Sequence, residues 1–193
     1  MSPLADLLRR LDAAPPTLGG GRLVCVDGPA GSGKTTLAQS VADRVEGVRL
    51  LHTDDLIEGW RGLPGLDSRL EGVLRPLALG RPGTYRRYDW VEGAFAETVT
   101  VEPCPVLLIE GVGSGAARFE DLRTLLVWVE APYDERLRRG LERDGDAFAP
   151  YWEQWALDEA DLFAREGTRE RADLRLDGTS PFDRAPDGPA MAR

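Results

Sequence analysis

Residues 28–35 read Gly-Pro-Ala-Gly-Ser-Gly-Lys-Thr, and the rest of the chain is best interpreted outward from them. A short apolar run, residues 22–27, precedes this stretch, and a segment without glycine or proline follows it. The glycines allow the backbone to wrap around an anion with its amide N–H groups pointing inward, and a helix that begins there adds the positive end of its dipole. The stretch therefore predicts a buried strand, a phosphate-binding loop and a helix, in that order.

The spacing of the loop predicts ATP with magnesium as its ligand. Lys34 is placed to reach the β- and γ-phosphates, and the hydroxyl of Thr35 to ligate Mg²⁺. Lys34 is also the only lysine in a chain with 24 lysines and arginines, which indicates that a compact ammonium is needed at this position. The residues expected to contact the nucleotide are Gly28, Ala30, Gly31, Ser32, Gly33, Lys34, Thr35 and Thr36.

Outside the loop, short apolar runs alternate with helical patterns, which predicts an α/β fold. Strands are expected at 22–27, 48–52, 105–109, 125–129 and 172–176, with helices at 35–45, 67–79, 132–143 and 150–166. Residues 80–89 are rich in turn-forming residues. Such alternation implies a parallel sheet covered by helices on both faces, with ligands beyond the carboxyl ends of the strands.

The expected organisation has three parts. Residues 1–21 form a capped amphipathic helix and a linker, with the helix packing outside the main sheet. Residues 22–178 form the nucleotide-binding domain, with a lid at about 136–148. Residues 179–193, rich in Pro, Gly and Asp, form a flexible tail.

Acidic residues follow two of the predicted strands. Asp54 and Asp55 end the second strand, where a carboxylate can accept the proton of an attacking hydroxyl or hold magnesium. The alternative for this pair is an Asx turn or a helix cap. Glu110 follows the third strand and is placed to order magnesium, with a turn carboxylate as the alternative. We expect Thr35, Asp54 and Glu110 to form the metal site, with Asp54 preferred over Asp55 as the base.

Arginines crowd the predicted lid. Arg136, Arg139 and Arg143 share a helix face and could clamp the transferring phosphoryl group. A solvated helix is the alternative, because Glu135 and Glu142 can pair with these arginines.

Together these segments resemble the uridine kinase-like branch of the P-loop nucleoside kinases, which includes nicotinamide riboside kinases. The resemblance extends from Leu23 to about Asp177. It implies a P-loop NTPase fold of the nucleoside and nucleotide kinase type with a lid, and phosphoryl transfer from ATP to a hydroxyl of a nucleoside. It also implies roles for individual residues. The catalytic ones would be Asp54, Lys34, Arg139 and Arg143, and those that bind the acceptor Asp55, Tyr88, Asp89, Trp90 and Arg136.

The acceptor segment departs from this family in one respect. The uridine kinases carry a histidine where this chain has Gly93, and Trp90 replaces their phenylalanine. A non-nucleoside metabolite or an antibiotic is therefore an alternative acceptor, and an ATP-binding regulatory module is a further alternative. A GTPase is disfavoured, because the Asn-Lys-x-Asp segment that reads guanine cannot be built from a chain without asparagine.

Composition limits the remaining partners. The formal charge of −9 argues against binding a nucleic acid polymer, which requires a basic surface. No apolar run is long enough to span a bilayer, so we expect no membrane contact and a cytoplasmic location. Cys25 and Cys104 lie within apolar runs and are expected to be buried thiols. Self-association into a homo-oligomer is left open.

Overall fold

The computed structural model describes residues 1–145 and 149–183 of the chain. Its strands are β1 (Arg22–Asp27), β2 (Val48–His52), β3 (Gly83–Asp89), β4 (Ala94–Val101), β5 (Val106–Glu110), β6 (Leu125–Glu130) and β7 (Leu174–Asp177). Its helices are α1 (Pro3–Ala13), α2 (Lys34–Ala42), α3 (Leu66–Ala78), α4 (Tyr133–Asp144), α5 (Trp152–Glu166) and α6 (Thr168–Arg171). Residues 146–148 of the predicted lid and residues 184–193 of the predicted tail lie outside the described residues.

The central sheet contains five parallel strands in the order β2-β5-β1-β6-β7, counted over the described residues. β1 lies in the middle, where Cys25 pairs with Ile109 on one side and with Leu126 on the other. β5 and β2 lie on one side of β1, and β6 and β7 lie on the other side. The direction in which the chain adds strands therefore reverses at β1. The carboxyl end of β1 is therefore the place where such a sheet binds its ligand. The predicted parallel α/β fold is confirmed.

Alternate side chains of β1 enter two separate hydrophobic layers. Leu23 and Cys25 face a layer that contains the leucines of α3. Val24 and Val26 face a layer that contains α2 and the leucines of α1. Helix α1 thus covers one face of the sheet and shares its core.

The antiparallel hairpin of β3 and β4 is absent from the sequence prediction, which describes residues 80–89 as turn-rich. Its register shifts between Arg86 and Tyr88, and most of its side chains are exposed or only partly buried. Without a continuous apolar face the segment lacks the alternation that marks a strand. The hairpin matters for the site because its turn brings Tyr88 and Trp90 towards the carboxyl end of β2.

Both cysteines are free thiols, with Cys25 buried and Cys104 partly buried. Burial raises the pKa of the Cys25 thiol to about 12. None of the helices in the described part of the chain has the length and apolar character needed to cross a membrane.

Candidate active site

The predicted phosphate-binding loop connects β1 to α2. Gly33 adopts φ 102°, a left-handed conformation that L side chains rarely take, and α2 begins at the next residue. Lys34 is 7% exposed, and its ammonium donates a hydrogen bond of 2.9 Å to the carbonyl of Pro29. The loop thus surrounds its own lysine at the N-terminus of a helix, which is the arrangement that binds a phosphate anion.

Glu110, at the end of β5, meets the loop at Thr35. The Thr35 hydroxyl donates to Glu110 Oε1 at 3.0 Å, and His52 Nδ1 lies 2.6 Å from the same oxygen. Burial favours the neutral form of Glu110, but the hydrogen bond from His52 and the charge of Lys34 outweigh it, so the pKa of Glu110 lies below its usual range. The contact of His52 with Glu110 could not be read from sequence spacing, because the two residues are 58 positions apart.

The donors at this position fit magnesium bound together with a nucleotide. No group of three or more His, Cys, Asp or Glu side chains among residues 1–145 and 149–183 could hold a metal. Mg²⁺, however, is commonly held by one or two carboxylates, water molecules and substrate phosphates. The Thr35 hydroxyl and the buried Glu110 carboxylate supply oxygen ligands of this kind beside the phosphate loop.

Asp54 and Asp55 occupy a short 3₁₀ turn, Thr53–Asp55, directly after β2. Asp54 is accessible to solvent, yet protein atoms crowd its carboxyl closely enough to desolvate it. This burial and the neighbouring Glu110 carboxylate raise the pKa of Asp54, against the opposing charges of Lys34 and Arg143. Burial also raises the pKa of Asp55, and the charges that act on it most strongly are those of His52 and then Arg87 of the hairpin. The charges of the phosphate loop and the lid thus act on Asp54, and a charge of the hairpin acts on Asp55.

Asp27 is a site residue that the sequence analysis missed. Its carboxylate is fully buried and accepts backbone N–H groups from Gly28 (2.7 Å), Gly113 (3.0 Å) and Gly115 (2.8 Å). It thereby ties the first residue of the phosphate loop to the segment that follows Glu110. An acidic residue at the end of a fully apolar strand was the available sequence signal, since buried carboxylates need specific partners.

Residues of the hairpin turn line the side of the site next to Asp54. The indole N–H of Trp90 donates to the backbone carbonyl of Asp54 at 3.0 Å, and the ring of Trp90 lies edge-on to Tyr88 at 5.3 Å. Trp60 contacts Trp90 at 5.0 Å and stacks on Tyr151, also at 5.0 Å. An aromatic cluster therefore stands beside the predicted base.

Asp89 has a different environment from its neighbours in the predicted acceptor segment. One of its carboxylate oxygens accepts the N–H groups of Val91 and Glu92, and the other accepts from Arg87. Asp89 thus closes the hairpin turn, and its predicted contact with an acceptor stays a prediction.

The three lid arginines of α4 have different partners. Arg136 donates to Glu159 at 2.9 Å and to the carbonyl of Ala30 at 3.3 Å. Arg139 donates to the carbonyl of Gly178 at 3.1 Å and pairs with Glu135. Their predicted contacts with acceptor and phosphate stay predictions.

Arg143 is the lid arginine whose charge acts on the acids of the site. It pairs with Asp144, and it lowers the pKa of Asp54 through its positive charge. The ion pairing considered as the alternative occurs in α4, where Arg138 pairs with Glu135 and Glu142. The clamp on the phosphoryl group stays a prediction.

Solved structures of kinases share this architecture. A possible uridine kinase from Bacillus stearothermophilus matches with a TM-score of 0.59 at 23% identity, over 89% of this chain and 100% of its own. A candidate fructose transport system kinase from Silicibacter sp. TM1040 matches with a TM-score of 0.61 at 24% identity, over 91% of this chain and 99% of its own. A D-glycerate 3-kinase from Cryptococcus neoformans var. grubii serotype A matches with a TM-score of 0.53 at 16% identity, over 91% and 90%.

This chain has a P-loop kinase fold. The predicted resemblance is confirmed at the level of the fold, because identities of this size carry no information on the substrate. No protein-family model and no curated protein matches the sequence.

Within this kinase fold, Glu159 of α5 is a second residue that the sequence analysis missed. It is 2% exposed, and it accepts the N–H of Ala30 at 2.8 Å as well as the guanidinium of Arg136. It lies four residues after Trp155 and seven after Trp152, on the buried face of its helix. An acidic residue on an apolar helix face was its sequence signal.

A cleft of about 430 Å³ opens on the other side of the loop, away from Asp54. Its walls come from the loop and α2, from Arg139, and from residues 178–183. A Cβ atom on Gly178 would lie 1.7 Å from the carbonyl oxygen of Ser32, so these two segments touch through their backbones. The adenine site could not be read from the sequence, and this cleft is its candidate in the kinase fold.

Proposed function

We propose that this protein is an ATP-dependent kinase that transfers the γ-phosphoryl group to a hydroxyl of a small molecule. The observation that carries the proposal is the convergence of three elements at one edge of the sheet. The phosphate loop, the Thr35–Glu110 pair and Asp54 come from the ends of three different strands and meet beside Lys34. Phosphoryl transfer requires this combination of phosphate clamp, magnesium ligands and a group that orients the nucleophile.

The orientation of ATP in the site follows from the carboxylates on one side of the phosphate loop and the cleft on the other. Carboxylates that can order magnesium and accept a proton stand on the Asp54 side, where the γ-phosphate must be. The cleft beside Gly33 and Thr36 stands on the opposite side, and its volume of about 430 Å³ is within the range of small-ligand pockets, roughly 300–1,000 Å³. We therefore assign the purine base and ribose to that cleft.

Each residue then has a defined task. Lys34 binds the phosphates once its hydrogen bond to Pro29 is exchanged for them. Thr35 and Glu110 hold the magnesium ion, which neutralises phosphate charge when bound. Asp54 orients the acceptor hydroxyl and takes its proton, and Arg143, whose charge acts on Asp54, is the lid cation for the transferred group.

The acceptor class that the aromatic cluster favours is a nucleoside. Trp90 is exposed and donates its indole N–H to the backbone of Asp54, in contact with Trp60 and Tyr88, and aromatic rings stack on flat heterocycles. The specific observation in favour of a non-nucleoside metabolite is Gly93, which offers no side chain to read a pyrimidine at the turn facing Tyr88.

The test is acceptor-dependent ADP release from ATP and magnesium, measured across nucleosides, sugars and hydroxy acids. We expect Lys34→Ala and Asp54→Asn each to lower kcat by about two orders of magnitude or more, the size of effect seen when an electrostatic or general-base contribution is removed. Asp55→Asn is the matched control, because it removes the adjacent carboxylate, on which Arg87 of the hairpin acts, and should raise the KM for the acceptor more than it lowers kcat.

The outcomes separate the alternatives. Stimulation by a nucleoside supports the nucleoside kinase, and stimulation by a sugar or hydroxy acid alone supports the non-nucleoside kinase. Tight ATP binding with no acceptor-dependent turnover would sink the kinase proposal and leave a regulatory ATP-binding module. Equal losses in the Asp54 and Asp55 variants would contradict the assignment of Asp54 as the base.

A further inference from the structure

The N-terminal helix α1 makes a direct contact with the loop that follows the last strand. The backbone N–H of Leu4 donates to the carbonyl of Phe182 at 2.9 Å. Both side chains are buried, Leu4 at 3% exposure and Phe182 at 7%, and they belong to one hydrophobic cluster. Within residues 179–183, which the sequence assigned to a flexible tail, Phe182 is thus packed against the domain, whereas its neighbours are exposed.

The same loop forms one wall of the cleft beside the phosphate loop. Residues 178–183 all line the cleft, opposite Thr36 and Arg139. Its first part is tied to the sheet, because Gly178 N–H donates to Glu130 and Asp177 accepts the N–H of Thr179. A structural change in this wall would alter the space available to the base and ribose.

The far part of the wall depends on α1. Within the described ranges, the contact with Leu4 is the only backbone hydrogen bond outside regular helices and strands that residues 181–183 make. The ring of Phe182 is buried among the leucines of α1 and the strand residues of that face. Without the α1 contact, this part of the wall would be held only by the covalent chain and by an apolar cluster that lacks the leucines of α1.

We propose that α1 is a positioning element of the nucleotide site, in which Leu4 and Phe182 hold the wall that faces the base and ribose. The proposal rests on the proposed function, because it assumes that ATP occupies the phosphate loop with its base in this cleft. It assigns a role in substrate binding to a helix that the sequence explains only as a packing element. The role of Leu4 is indirect, since it acts through the position of Phe182, which itself lines the cleft.

The experiment compares ATP with inorganic tripolyphosphate, each bound in the presence of Mg²⁺ and measured by calorimetry. Tripolyphosphate has the phosphates but no base or ribose, so it reports on the phosphate loop alone. For Leu4→Ala we expect the Kd for ATP to rise about tenfold, equivalent to about 1.4 kcal/mol. The Kd for tripolyphosphate should change by less than about twofold, equivalent to about 0.4 kcal/mol.

The matched control is Leu11→Ala. Leu11 has the same side chain, lies on the same helix and is buried to the same 3% exposure, so its loss should destabilise the protein by a similar amount. It lies about 10 Å further along the helix axis, at 1.5 Å per residue, away from the end of α1 that contacts Phe182. Both substitutions keep the backbone N–H of Leu4, so they compare the apolar side-chain contacts alone. We expect Leu11→Ala to leave the ratio of the two dissociation constants unchanged. If Leu4→Ala fails to fold by circular dichroism, Phe182→Leu, which keeps an apolar side chain, replaces it with the same expected direction.

The results distinguish failure of this inference from failure of the proposed function. Equal weakening of ATP and tripolyphosphate by Leu4→Ala, or equal effects of the Leu4 and Leu11 variants, would show that α1 only stabilises the fold. Unchanged ATP binding in Leu4→Ala or Phe182→Leu would overturn the inference directly. If the parent protein binds neither ligand, the proposed function itself fails and this inference with it.

Discussion

Asp27 allows the energetics of the site to be tested through the pH dependence of stability. Burial is the main influence on this carboxyl and raises its pKa from 3.8 to about 6, despite three backbone N–H donors. The folded protein therefore holds a proton between about pH 4 and 6 that the unfolded chain releases. The stabilisation that this proton provides is fully present below the pKa that Asp27 has in the unfolded chain, 3.8. It is lost as the pH rises through the pKa in the folded protein, about 6.

The size of the effect follows from the two pKa values. A rise from 3.8 to about 6 is equivalent to about 3 kcal/mol, at about 1.4 kcal/mol for each pH unit. Between pH 7.5 and pH 5, which stays just above the sequence pI of 4.8, about half of this amount is accessible. The parent protein should therefore gain about 1.4 kcal/mol more than an Asp27→Asn variant when the pH is lowered over this interval.

The assay is urea unfolding of both proteins at several values of pH, with the difference between their free energies of unfolding plotted against pH. All other titrating groups are common to both proteins and cancel in this difference. Asp6→Asn is the control, because hydrogen bonds from Arg9 and Arg10 lower the pKa of Asp6 and predict a trend of the opposite sign. Parallel pH curves for the parent and Asp27→Asn would refute the reasoning, since they would mean that the three N–H donors fully compensate for burial.

Three further substitutions test other parts of the site. Gly178→Ala should weaken ATP binding about tenfold by calorimetry, because its new methyl group would overlap the backbone of the phosphate loop, and an overpacked contact costs about 1–3 kcal/mol. Gly20→Ala, where nothing lies within 4 Å, is its control, and equal effects would contradict the overlap. Glu159→Gln should lower the free energy of unfolding by about 3 kcal/mol in urea, because it leaves its buried arginine partner without a counter-charge. Glu153→Gln, exposed on the same helix, should change it by less than about 0.5 kcal/mol, and similar values for the two variants would rule out a buried pair. Trp90→Phe keeps a ring but removes the hydrogen bond to the turn that carries Asp54, the proposed base, so kcat should fall about tenfold while ATP affinity stays constant. An unchanged kcat would show that this hydrogen bond does not position the base.

Features that depend on short stretches of chain could be predicted from the sequence. The phosphate loop is a local motif, and its glycines, lysine and threonine indicate their chemistry by type and spacing alone. The strands of the sheet centre appear as continuous apolar runs because β1, β5 and β6 are covered on both faces. Asp54 and Glu110 could be placed together because parallel strands end at the same edge of a sheet.

Other features were hidden because their sequence pattern is weak. The β3–β4 hairpin has no continuous buried face, and its register shift interrupts the alternation of side chains. Phe182 lies in a segment whose composition suggests a flexible tail, yet it is buried against α1.

The sequence by itself determined the fold class, the phosphate loop and the acids that accompany it, because these follow from local pattern and from strand direction. Only the tertiary structure decided which side chains support that loop. Glu159 meets Ala30 from 129 residues away, Asp27 meets Gly115 from 88, and His52 meets Glu110 from 58. Contacts between such distant residues depend on how helices pack on the sheet, which no local period or motif encodes. The physical reason is that a buried polar group can be satisfied by any segment that folding brings within hydrogen-bond distance, so its partner is known only when the packing is known.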